Sequence, residues 1–332
     1  MCRYIKFSLA LFLLFLITAC GGTGDKSLTE TPEEPSTYHY GQTDNDITVA
    51  VSHYSKDALC VVYHPTTWEE KPTPVIFFAT GWHNTNHNSY KTLLRFIANH
   101  GYSVVYVPDS ESYTAQLQKF DKIVTEFSAK LDTTKIGVLG HSSGGGFTFK
   151  ILEHMIDKHY GEEGRFLCAM DPYFAQFMDK SNMNDLQNTN ILFVQFGPDG
   201  EQGGNETDPR IPIIEYRLLT GEGIDKNYIV LRGEHDASHG YPARQNLNTM
   251  QGLLKPLDAL MEYSFKEQRD THHTIALEGE GKEDPYANVY QKVLPIDQYT
   301  YDCHYANKYH KGADEKSNST IDNCGEPEIQ PN

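Results

Sequence analysis

Positive charge is scarce in this chain: 28 Lys and Arg stand against 45 Asp and Glu, giving a formal net charge of −17. Such a surface repels a phosphate backbone, which excludes nucleic acid as a partner and favours neutral or cationic substrates. Long hydrophobic runs are missing too, and the N-terminal stretch from Ala10 to Ile17 is too short to span a bilayer comfortably. No internal repeat is present. His272, His273, His304 and His310 sit in polar, irregular context, and no histidine shows zinc-type spacing with a carboxylate or Cys partner. Neither a metal nor a cofactor is therefore expected. Cysteine is sparse, with six in 332 residues.

What is there begins with an address. Arg3 and Lys6 precede the apolar stretch, and Ile17-Thr18-Ala19-Cys20 follows it, so residues 1–19 read as a signal peptide. Ending on Cys20 resembles the lipobox of bacterial lipoproteins. That resemblance implies a mature chain that starts at Cys20, lipidated on its sulfur and amine and fixed to the cell envelope. Gly21 after the Cys points to the outer membrane by the same group's sorting rule. The membrane would then be met only through the anchor. The alternative is ordinary cleavage and secretion with a free Cys20. Residues 20–45 are rich in Gly, Thr, Glu, Pro and Ser and read as a flexible tether. Export permits disulfides, and Cys303 with Cys324, in a polar tail, form the preferred pair. Closing that loop of about twenty residues would stabilise the fold by roughly 3 kcal/mol. Cys60 and Cys168 fall in strand-like runs and read as buried thiols.

From residue 46 the pattern changes. Short apolar runs near residues 47–51, 59–63, 75–79, 104–107, 136–139, 166–170, 191–196 and 228–231 predict strands. Several are almost continuously apolar, as strands covered on both faces require. Amphipathic segments near 90–100, 115–131, 147–158 and 253–265 predict helices between or after the later strands. The alternation predicts an α/β domain over 46–265, with a mostly parallel central sheet and helices on both faces. Two early strands with no helix between them predict an antiparallel hairpin. Residues 266–332 lose the alternation and read as an extension packed on the main domain.

The informative segment is Gly140-His141-Ser142-Ser143-Gly144. A serine hydroxyl attacks well when a tight strand-to-helix turn projects it toward a base. Such a turn leaves no room for side chains two positions to either side, hence the glycines. A buried strand runs in and an amphipathic helix runs out, which is the context this Gly-x-Ser-x-Gly pattern needs. Thr80-Gly81-Trp82, the stretch from Ile97 to Val105 and the stretch from Asp132 to Gly146 together resemble the bacterial cutinase and polyester-hydrolase group. That group is related to dienelactone-hydrolase-like and chlorophyllase-like esterases, and the match runs in order over roughly residues 47–265.

The resemblance implies an α/β-hydrolase fold and a serine carboxylic-ester hydrolase working through an acyl-enzyme, without metal. It makes Ser142 the nucleophile and the main-chain amides of Trp82 and Ser143 the oxyanion hole. The acid should follow the next-to-last core strand. There Gly197-Pro198-Asp199-Gly200 offers Asp199, with Asp208 and Asp171 as alternatives. The base should follow the last core strand, where His239 is preferred and His235 is the alternative. Tyr173, after the 166–170 strand, and Trp82 would wall a cleft for an ester with an apolar or aromatic group. The Asp171-Pro172 pair, the long acidic loop after Gly197 and the tail beyond 265 depart from the group. A peptidase or lipid acyl hydrolase on the same scaffold, or a non-catalytic surface binding protein, are the competing readings.

Overall fold

The computed structural model describes residues 39–44, 46–109, 112–175, 177–178, 182–196, 210–231, 238–266, 270–278 and 290–292. The strands are β1 (Val49–Tyr54), β2 (Asp57–Pro65), β3 (Thr73–Ala79), β4 (Ser103–Val107), β5 (Leu131–His141), β6 (Gly164–Met170), β7 (Asn190–Phe196), β8 (Asp225–Leu231) and β9 (Tyr290–Lys292). They form one sheet in the order β1-β2-β4-β3-β5-β6-β7-β8-β9. β1 and β2 make the expected antiparallel hairpin, and β2 is antiparallel to β4. Strands β4, β3, β5, β6, β7 and β8 run parallel. The class is α/β with a mostly parallel sheet.

Period-2 geometry explains why these strands are apolar at nearly every position. In β3, Ile76 and Phe78 enter one hydrophobic core while Val75, Phe77 and Ala79 enter the other. β6 divides likewise, with Phe166, Cys168 and Met170 on one side and Leu167 and Ala169 on the other. Helices cover both faces. α1 (Lys91–Asn99) buries Leu93, Leu94, Phe96 and Ile97 in the first core. α2 (Tyr113–Glu126) and α3 (Ser143–Asp157) bury Phe120, Ile123, Phe147, Ile151 and Leu152 in the second. After α4 (Arg210–Leu218) and β8, the long helix α5 (Gln251–Phe265) returns to the first core.

The same geometry separates Cys60 from Cys168. They enter opposite cores, and four strand spacings of about 4.8 Å lie between β2 and β6. A disulfide needs Cα atoms within roughly 7 Å, so both stay buried thiols outside any disulfide. Burial also pushes the Cys168 thiol well above its ordinary range, which keeps it unreactive. Cys20, Cys303 and Cys324 lie outside the described residues.

Two elements had no counterpart in the apolar pattern. α4 begins within what reads as the tail of a long loop, and its Pro212, buried in the first turn, costs no intrahelical bond there. Beyond residue 265, Ile275, Ala276 and Leu277 are buried in the first core, and β9 pairs antiparallel with β8.

Candidate active site

β5 ends at His141, and α3 begins at Ser143. The residue between them, Ser142, has φ 57° and ψ −124°, a conformation that costs a non-glycine residue about 1–3 kcal/mol. Its surroundings hold it there. The Ser142 N–H donates to the Met170 carbonyl at 3.0 Å, while its own carbonyl accepts from Gly146 N–H at 3.1 Å and Tyr173 N–H at 2.9 Å. A Cβ on Gly140 would lie 2.3 Å from the Gly144 carbonyl oxygen, and one on Gly144 would lie 2.4 Å from those of Ala79 and Thr80. The flanking glycines are thus required by close backbone approach, as the motif implied.

Ser142 is partly exposed. Next to it, β6 ends in register with β5, pairing Met170 with His141, so the following residue, Asp171, emerges beside the turn. Asp171 is completely buried and also has positive φ, at 44°. Its N–H donates to the Val194 carbonyl at 2.6 Å, tying it to β7. One carboxylate oxygen, Oδ1, accepts from the Gln195 side-chain amide and from the Phe196 N–H at 3.5 Å. The other, Oδ2, accepts from His239 Nδ1–H at 2.5 Å. With Nδ1 donating, Nε2 is the ring nitrogen that carries the lone pair.

His239 reaches the turn from the segment after β8, and its ring lies 4.6 Å from that of His141. His141 is buried, and its Nδ1 shares a hydrogen bond with the Tyr90 hydroxyl at 2.8 Å. Burial first, and the charge of a protonated His239 second, push its pKa down to about 3, so His141 stays neutral.

A scan against protein-family models finds no match, and a search of curated proteins finds none.

The chain's own geometry is therefore what describes the site. It puts Asp171 in contact with His239, whose ring lies 4.6 Å from that of His141, the residue before Ser142. Asp199, Asp208 and His235 lie outside the described residues; among the described residues, the carboxylate in contact with His239 is Asp171, which follows β6. Gly81 stands beside the turn, since a Cβ there would be 3.5 Å from Ser142 Cβ, and this brings the Gly81–Trp82 main chain alongside the serine. The Trp82 ring is 69% exposed and stacks on His83, so it is no core residue. Tyr173 is half-buried against Phe174, with its main chain bonded to Ser142. Among the described residues no group of three metal-ligating side chains is found.

Gln195, Tyr90 and His141 took no part in the sequence reading of the site. Gln195 carried a signal, being the one polar side chain inside the apolar run Ile191–Phe196. Tyr90 carried none, because its partner lies 51 residues away.

Proposed function

We propose that the protein is a serine hydrolase of carboxylic esters, built as an α/β-hydrolase, with Ser142 as nucleophile, His239 as base and Asp171 as the acid that orients it. The observation that supports this most is the 2.5 Å contact of His239 with a wholly buried Asp171, beside a serine strained at φ 57°. Asp171 accepting from Nδ1 fixes the tautomer that presents Nε2 as a proton acceptor and stabilises the imidazolium that forms. The Ser142 hydroxyl loses its proton to His239 as its oxygen attacks the ester carbonyl. The negative oxygen that develops is met by the Trp82 and Ser143 amides, each worth about 3 kcal/mol in such a site. His239 then protonates the departing alcohol, and water releases the acid by the same route in reverse. A neutral His141 matters here, because a charge there would oppose the imidazolium.

The exposed Trp82 and half-buried Tyr173 favour an ester with an apolar or aromatic group. In keeping with the N-terminal motif, we place the enzyme on the cell envelope through lipidated Cys20. Fluorophosphonate labelling of purified protein tests the chemistry. Labelling and p-nitrophenyl ester turnover are both expected, and both should vanish in Ser142→Ala. Labelling without ester turnover would point to a peptidase, and no labelling to a binding protein.

A further inference from the structure

Four groups converge where β3 and β5 run out of sheet pairing. A Cβ on Gly81 would lie 3.3 Å from the Tyr90 hydroxyl, 3.5 Å from His141 Nδ1 and 3.5 Å from Ser142 Cβ. Gly81 N–H donates to the Tyr90 hydroxyl at 3.3 Å, and that hydroxyl is 2.8 Å from His141 Nδ1. The Tyr90 hydroxyl thus joins the Gly81 main chain to the imidazole of the residue before the serine.

We propose that Tyr90 is a positioning residue, whose hydroxyl locks the Gly81–Trp82 loop to His141 and so sets the distance from the Trp82 amide to Ser142. This rests on the hydrolase reading above and assigns a role within it. The last β3–β5 pair is Ala79 with Gly140, so beyond it the ladder no longer fixes the loop to the turn. Asn84 N–H bonds back to the Gly81 carbonyl at 3.1 Å and His83 N–H to Asp109 at 2.7 Å, which holds the far side of the loop to the end of β4. Tyr90 supplies the near side. Its ring is 3% exposed and packs 4.8 Å from Phe78, so the hydroxyl has a fixed origin. Both ends of the link keep the protonation it needs: burial raises the phenol, and His141 stays neutral.

Tyr90→Phe keeps the packing and removes the link. It should lower kcat on p-nitrophenyl butyrate about tenfold, the worth of one good hydrogen bond, with KM within about twofold. Phosphonylation of Ser142 by the fluorophosphonate should slow in parallel. Phe120→Leu loosens the other core, on the opposite face of the sheet from Tyr90; it should cost at least as much in Tm and leave kcat within about twofold. Wild-type protein that labels, beside a Tyr90→Phe variant that labels and turns over equally fast, overturns the positioning role alone. So does a loss confined to KM, or an equal kcat loss in Phe120→Leu. Wild-type protein that does not label overturns the hydrolase reading and this role with it.

Discussion

Asp171 combines two unfavourable states, a positive φ of 44° and a carboxylate with no exposed surface. An ionised carboxylate away from water is tolerated only when its oxygens are satisfied, and here Gln195, the Phe196 amide and His239 do so. Positive φ at a non-glycine residue persists when the surroundings over-determine it, and such strain gathers at functional sites. Replacing Asp171 by Asn keeps the shape but disfavours the Nδ1–H tautomer of His239. We expect kcat to fall by about four orders of magnitude while the protein remains folded by circular dichroism. Asp199→Asn should leave kcat within a few-fold. Steady-state ester kinetics on the two variants decide between the carboxylates, and a collapse in the second with little change in the first would return the role to Asp199.

At the scale of elements, the strand-to-helix turn works because α3 starts almost in contact with the end of β3. Gly144→Ala would drive a methyl to 2.4 Å from two carbonyl oxygens, so the helix start must move. Overpacking of this kind costs about 1–3 kcal/mol, read as a lower urea midpoint, and the displaced turn should also slow fluorophosphonate labelling. The same elements show what sequence can carry. Strands β3 to β8 were legible because a sheet covered on both faces needs apolar residues at consecutive positions, and the helices because each shows an apolar stripe. Ser142 was legible because steric crowding dictates its neighbours. The contact of Asp171 with His239 was less so, since it depends on tertiary packing between residues 68 apart in the chain. β9 is three residues at a sheet edge, too short for any pattern to announce. The Tyr90–His141 link joins residues related only by tertiary packing, and no local rule reaches it.

Across the whole molecule, a band of buried polar groups fastens the first described residues to α5. Asp258, fully buried on that helix, accepts from Gly41 N–H at 2.8 Å and faces His100 Nε2 at 3.5 Å. Gln251 donates to the Gly41 carbonyl at 3.0 Å, and the Tyr40 hydroxyl meets His272 at 2.8 Å. His100 Nδ1–H donates to the Phe96 carbonyl at 2.8 Å, so both ring nitrogens are engaged in ways that suit the cation. Burial opposes the charge on His100, but Asp258, with help from Glu262, outweighs it and raises the pKa. His141 is the opposite case, pushed down to about 3. The two histidines therefore act in opposite directions with pH. The stabilisation from His100 is fully present below the unfolded value of about 6.5 and is lost as pH rises through its folded value. His141 must be deprotonated to fold, so it removes stability as pH falls from about 6.5, by up to roughly 1.4 kcal/mol per unit. Thermal melts from pH 4 to 9 should therefore show an acid-side loss that His141→Asn flattens. His100→Gln should lower Tm more at pH 5.5 than at pH 8.5. Equal losses at both values would mean that His100 is held by packing and not by the charge of Asp258.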